Sequence, residues 1–181
     1  LYYAALCGFH ELVEHLTLKN PQYTSARGGV CGTALHSASF AGHLKIVRSL
    51  LRHGVGVDTR DRSKDTALQW ASQEGHRDIV ECLLDHGAGV NLQDNSQNTP
   101  LTLAAYYWHM DVIRVLLEHG ADVHSRDNHG RTPLHDVIGG AHNTPKGDAP
   151  QIVRLLLEHG ADVGAEDNDG MTPLEMALAV G

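Results

Sequence analysis

Cysteine is scarce: Cys7, Cys31 and Cys82 are the only three in 181 residues, an odd number without a Cys-x-x-Cys spacing. That excludes a disulfide framework and a zinc ribbon and predicts a reducing compartment, cytoplasmic or nuclear. Cys82 is expected as a small buried thiol in the apolar run Ile79-Val80-Glu81-Cys82-Leu83-Leu84. Aromatics are few, two Phe, two Trp and five Tyr, so one at an exposed, variable position counts as a binding signal. Positive charge is in deficit, 14 Lys and Arg against 22 Asp and Glu, which disfavours the clustered basic surface that binds nucleic acid. No apolar run approaches the ~18 residues of a membrane span, and no leader peptide opens the chain. Gly-x-Ser-x-Gly, His-Glu-x-x-His, Gly-x-Gly-x-x-Gly and Gly-x-x-x-x-Gly-Lys-Ser/Thr are all missing. No enzyme activity and no cofactor are therefore expected within these residues.

What the sequence does hold is self-similarity. Thr66-Ala67-Leu68, Thr99-Pro100-Leu101 and Thr132-Pro133-Leu134 stand 33 residues apart, as do Gly54, Gly87 and Gly120, and Asp61, Asp94 and Asp127. Thr33-Ala34-Leu35 begins the series, and Thr172-Pro173-Leu174 closes it after one step of 40. A fixed period of this length means stacked units, each burying its apolar face on the next, in an elongated array. Such an array offers surface rather than a pocket for chemistry. Charge is uneven along it: residues 27–64 hold seven Lys/Arg and two Asp, whereas 155–181 hold six Asp/Glu and no Lys or Arg. That asymmetry can orient a partner.

Residues 95–127 show one unit in full. Thr99 can cap a first helix, with Pro100 at its opening position, where a missing N–H costs nothing. Leu101, Leu103, Ala104 and Ala105 give a short helix with a small-residue face. A turn at Trp108-His109 follows, then a second helix from Asp111 with Val112, Ile113, Val115, Leu116 and Leu117 on its apolar face. Gly120 supplies the left-handed stop, and the extended stretch to Asp127 leads to the next threonine. Helices are predicted near 33–41, 44–53, 66–74, 77–86, 99–107, 111–119, 132–138, 150–159 and 172–180.

These residues resemble the ankyrin repeat. Gly130-Arg131-Thr132-Pro133-Leu134-His135, Gly75-His76, Ile79-Val80 and Gly120-Ala121-Asp122-Val123 match its pattern in phase. The resemblance implies an all-α solenoid of helix-turn-helix units with protruding β-hairpin loops. It covers one domain, 1–181, in units 1–31, 32–61, 62–94, 95–127, 128–167 and 168–181, the first and last incomplete, as in a fragment of a larger protein. Departures from the pattern are specific. Asn20 replaces the stop Gly in the first unit, where a left-handed conformation is still expected. Cys31, Lys64 and Gln97 replace the Gly that stands two residues before the threonine. The fifth unit carries seven extra residues within a loop at 139–149, expected to be exposed and mobile, with Asp148 capping the next helix.

The fourteen histidines follow the repeat. His36 and His135 occupy the Thr-Pro-Leu-His position; His43, His76 and His109 mark the inter-helix turn; His53, His86, His119 and His159 precede the stop Gly. Members of one series fall about 10 Å apart in such a stack, too far to share an ion, so no metal site is expected. Asp61, Asp94, Asp127 and Asp167 recur as turn-formers rather than general bases.

The resemblance implies recognition of a protein partner through a concave groove built from hairpin tips and the two residues after Ala-Ala in each first helix. The candidates are Phe40, Gln73, Glu74, Tyr106 and Tyr107 on the helices, with Arg62, Asp65, Asn98, His129 and Arg131 on the tips. Trp70 is expected to pack on the preceding unit, and Trp108, in a turn position commonly held by Gly, on its own unit. No nucleic acid or membrane is expected as partner, and the isolated domain is expected to be monomeric. Two other roles fit the same text: a structural or regulatory spacer packing on other domains, or the regulatory region of an enzyme whose catalytic part lies outside 1–181. The resemblance also makes Asn91, after Gly-Ala-Gly-Val, a candidate for β-hydroxylation.

Overall fold

A threonine in extended conformation precedes the first helix of the second, third, fourth and fifth repeats. In the computed structural model, which describes residues 1–29, 32–140 and 149–180, Thr33, Thr66, Thr99 and Thr132 have φ of −96°, −98°, −96° and −92°. Each threonine hydroxyl faces the backbone N–H three residues on, while the side chain there returns to the threonine N–H, a reciprocal capping box. The helices that result are α1 (Tyr2–Leu6), α2 (His10–Lys19), α3 (Ala34–Phe40), α4 (Leu44–Arg52), α5 (Ala67–Gln73), α6 (Arg77–Asp85), α7 (Pro100–Tyr106), α8 (Met110–Glu118), α9 (Pro133–Gly139), α10 (Ala149–Glu158) and α11 (Pro173–Val180). No strand occurs among the described residues. All nine helices read from the sequence are present, each within one residue at either end. The first unit adds α1, α2 and a 3-10 turn at Pro21–Tyr23.

The chain divides into two compact units, Leu1–Gly89 and Val90–Gly181. In the first, α1, α3 and α5 pack in succession, and α2, α4 and α6 form a second row behind them. Alanines at the inner contacts, Ala34, Ala38, Ala67 and Ala71, are at most 1% exposed and let these short helices approach closely. Leu35, Ile46, Val47, Leu50, Leu68, Ile79, Val80 and Leu83 fill the space between rows. In the second unit α7, α9 and α11 pack in succession, and α8 contacts α10. Its core is Leu101, Ile113, Leu116, Leu134, Val137, Ile152 and Leu156. Each such side chain contributes about 1.5–3 kcal/mol by leaving water.

Three local readings change. Asn20 does not take the left-handed conformation expected of it; it lies at φ −139°, ψ 67°. The ring of Pro21 disfavours helical geometry at the residue before it, and the 3-10 turn takes over from there. Trp108 reaches beyond its own repeat to the next, its indole N–H donating to the carbonyl of Val137 at 2.8 Å. At the edges of the segment read as a loop, Gly139 ends α9, Gly140 is buried and Ala149 already belongs to α10. Residues 141–148, with the expected cap Asp148, lie outside the described residues, as does Cys31. Lys64 and Gln97, which replace glycine, keep the left-handed conformation of that position, at φ 66° and 62°.

Candidate partner-binding site

The hairpin tips are built by aspartates. Asp61 Oδ1 accepts the N–H groups of Ser63 and Asp65, Asp94 those of Ser96 and Asn98, Asp127 those of His129 and Arg131, and Asp167 those of Asp169 and Met171, all at 2.7–2.9 Å. Each carboxylate thus closes its own turn, which fixes the recurring acids as structural. One backbone bond seals each base, from Asp61 to Asp65, Asp94 to Asn98, Asp127 to Arg131 and Asp167 to Met171. Successive tips within each unit are also tied together. Arg27 donates to the Arg60 carbonyl in the first unit; in the second, Arg126 reaches the Glu166 carbonyl and Asn168 the Asn128 carbonyl. Tip residues are therefore presented on a fixed backbone, with Arg62 and His129 exposed and Asp65, Asn98 and Arg131 half-buried.

Asn91 belongs to the same network. Its Oδ1 accepts from the Asp122 N–H at 2.9 Å and its Nδ2 donates to the Gly120 carbonyl at 3.2 Å. Asp58, one period earlier, makes the equivalent bond to the Gly89 N–H.

The helix-end positions differ between the units. In the first, Phe40 is half-buried, edge-on to Trp70 with centroids 5.5 Å apart, and Trp70 donates to Asp61 Oδ2. Trp70 thus packs on the preceding repeat, as the sequence predicted. Gln73 and the exposed Glu74 are bonded to each other at 3.1 Å. In the second unit Tyr106 remains 38% exposed. It meets Tyr107 edge-on at 5.1 Å, and Tyr107 stacks on His109 at 6.3 Å.

Below these tyrosines lies a hollow of about 200 Å³ walled by Asn98, Thr102, Tyr106, Tyr107, Arg131 and Asp136, so it gathers four of the predicted residues. Asp136 was not among them. It is only 7% exposed, and neither its buried Oδ2 nor the buried Nε of Arg131 has a hydrogen-bond partner. Burial, reinforced by the negative charge of Asp127 and only partly offset by Arg131, pushes the Asp136 carboxyl up to about 8. The sequence carried a signal for it: the residues one period away are Ser37, Trp70 and Leu103, so an acid at 136 stands out. A larger hollow of about 520 Å³ lies between α4 and α6, where Arg48 and Arg52 face Asp78, Glu81 and Asp85. No buried polar side-chain atom of its lining residues lacks a partner. Of these two hollows the smaller is the better candidate site, because its walls include buried polar groups left unmet and those of the larger do not.

The histidines serve the scaffold. His36 Nδ1 accepts from the Thr33 N–H, and its Nε2–H faces the carbonyls of Thr59 and Asp65; burial holds its pKa below the ordinary imidazole range. His43 and His76 donate to the Leu6 and Phe40 carbonyls of the preceding repeats. His53, His86, His119 and His159 each donate to the carbonyl four residues back. Among the described residues no three His, Cys, Asp or Glu side chains gather as a metal site would require, and no helix is long and apolar enough to cross a membrane.

Comparison with known families agrees with this architecture. A model of ankyrin repeats in three copies matches residues 1–94, one of ankyrin repeats in many copies matches 83–135, and a single ankyrin repeat matches 129–168. No curated protein matches the chain. Ankyrin repeats are generally protein-interaction modules and generally non-catalytic. With the first model alone spanning more than half its length, this chain belongs to the ankyrin-repeat family.

Proposed function

We propose that this protein binds a partner protein through the side of its repeats that carries the hairpin tips and the ends of the first helices. The observation that carries this reading is the Tyr106–Tyr107 pair, two of nine aromatics, placed at variable repeat positions above a hollow that holds unmet polar groups. Tyrosines give large contact area at little entropic cost, and a pair held edge-to-face is already ordered before binding. Arg131 and Asn98 wall the same hollow as the tyrosines, and His129 is exposed on the tip that carries Arg131. In the first, Phe40, Gln73, Glu74, Arg62 and Asp65 take the corresponding roles. The free thiols of Cys7 and Cys82 suit an intracellular location, cytoplasmic or nuclear. Asn91 is a proposed hydroxylation site on the same loops. Its bonds to Gly120 and Asp122 must open for an enzyme to reach it, and intact mass measurement of native protein lacking an added oxygen would dispose of this assignment.

The test is affinity capture from the native cell, comparing wild type with a Tyr106→Ala/Tyr107→Ala variant and with Arg48→Glu/Arg52→Glu on the second-row helix α4. The tyrosine pair is expected to weaken capture by about 2 kcal/mol or more, while the arginine pair does much less. Loss with the arginine pair and retention with the tyrosine pair would move the function to the other face.

A further inference from the structure

The second unit holds a buried acid that its own fold leaves unanswered. Asp136 sits one turn into α9, 7% exposed, its buried Oδ2 without a hydrogen bond; Arg131 lines the same hollow but makes no ion pair with it. A buried carboxyl without a partner costs stability, and an apolar or small residue serves at the equivalent positions 37 and 103 of this same chain. The walls around it are the rings of Tyr106 and Tyr107, the carboxamide of Asn98, the hydroxyl of Thr102 and the stem of Leu103. Charge points the same way. Residues 90–181 carry 5 Lys/Arg and 13 Asp/Glu, a net −8, whereas residues 1–89 carry 9 of each, a net of zero. The whole formal charge of the chain thus belongs to the unit that contains the hollow.

We infer that the hollow under Tyr106 and Tyr107 is a subsite for a lysine side chain of a basic segment in the partner, its ammonium donating to the Asp136 carboxyl while its alkyl stem lies against the tyrosine rings. The inference rests on the partner-binding reading above and specifies its chemistry. A volume of about 200 Å³ accommodates an alkylammonium. Ammonium is favoured over guanidinium because the carboxyl is more than nine-tenths buried: a compact group with three rotatable N–H donors can meet it end-on, whereas a guanidinium fork is matched to two accessible oxygens. Tyrosine faces add cation–π attraction in a partly desolvated site. Asp127, which closes its own turn, and Arg131 are the charged groups that act on Asp136. On α10 the Arg154 side chain is paired with Glu158, and on α11 Glu175 is held at Thr172. Because the empty site keeps Asp136 largely protonated at neutral pH, bringing in a cation requires the carboxyl to ionise. Binding should therefore tighten as pH rises towards about 8.

The experiment titrates the protein with a blocked peptide of alternating lysine and serine, with norleucine and arginine counterparts, between pH 6 and pH 9 at low salt. Wild type is expected to bind the lysine peptide at least tenfold tighter than the norleucine peptide, and tighter than the arginine peptide. Asp136→Asn should weaken the lysine peptide about tenfold or more and abolish its pH dependence. Asp111→Asn on α8 removes the same charge away from the hollow and should change affinity less than twofold. Thermal melts of both variants at pH 7 show that they are folded, and Asp136→Asn exchanges a carboxyl that is largely neutral at that pH for a neutral carboxamide, so it is expected to fold. No binding by wild type, equal effects of the two aspartate variants, or equal binding of norleucine or arginine peptides would overturn the inference. If it falls while the tyrosine pair still abolishes partner capture, the partner-binding reading survives; if both tests fail, that reading falls too.

Discussion

Four kinds of side chain do one job at the third position of five of the first helices. His36 and His135 use Nδ1, Gln69 uses Oε1, Thr102 its hydroxyl and Glu175 its carboxylate, each accepting the N–H of the capping threonine at 2.8–3.2 Å. The requirement is an acceptor at that reach, not a particular residue. His36→Gln should therefore be tolerated within about 1 kcal/mol, whereas His36→Leu leaves the Thr33 N–H and two carbonyls unmet and should cost about 2–3 kcal/mol in chemical denaturation. The burial that lowers the His36 pKa also fixes a sign. The unfolded chain takes up a proton near the ordinary imidazole value while the folded chain resists it, so stability is lost as pH falls below about 6.5. His36→Gln should flatten that loss. Asp136 works in the opposite direction. Its folded pKa is raised from 3.8 to about 8, so the unfolded state releases a proton that the native state keeps, and stability falls as pH rises between those values. Asp136→Asn should raise the melting temperature at pH 8 and leave it nearly unchanged at pH 4, a difference readable by calorimetry at the two values.

At the scale of the element, helix ends and turns carry the chain's individuality. Trp108 occupies a turn position with φ 59°, and its indole reaches the Val137 carbonyl across to α9. Gly140 makes this possible: a Cβ there would press on the carbonyls of Tyr106 and Asp136 and on the Trp108 ring nitrogen. Gly140→Ala should thus cost about 1–3 kcal/mol and shift the Trp108 emission, because the ring must move or the turn must open. Lys64 and Gln97 hold φ near +60° with a Cβ in place. Gln97→Gly should stabilise by about 0.5–1 kcal/mol, since relief of the left-handed strain exceeds glycine's entropic cost. These features explain what the sequence could and could not disclose. Periodic Thr-Pro-Leu and Leu-Leu text placed nine helices within a residue, because capping and apolar spacing are local. The partner of Trp108 was not legible, since it depends on which neighbouring turn has room for an indole. Asn20 was misread because the effect of Pro21 on the preceding residue outweighs asparagine's tolerance of left-handed geometry.

For the molecule as a whole, the repeat explains most residues as scaffold and leaves a short remainder for recognition. The aspartates that close tips, the histidines that clamp carbonyls and the alanines between helices recur because each repeat needs them. Tyr106, Tyr107 and Asp136 do not recur, and all three wall one hollow in the acidic second unit. The tyrosines were legible from the sequence as aromatics at variable positions; Asp136 was not, because its burial and lack of a partner exist only in three dimensions. The central claim is that this side of the repeats contacts the partner, and site-specific photocrosslinking in the native cell tests it most directly. With a benzophenone side chain placed at position 106, and separately at Arg52 on α4, the account predicts a discrete crosslinked partner from position 106 that is lost when Asp136 is replaced by Asn, and none from position 52. Crosslinks from position 52 with none from 106 would contradict it.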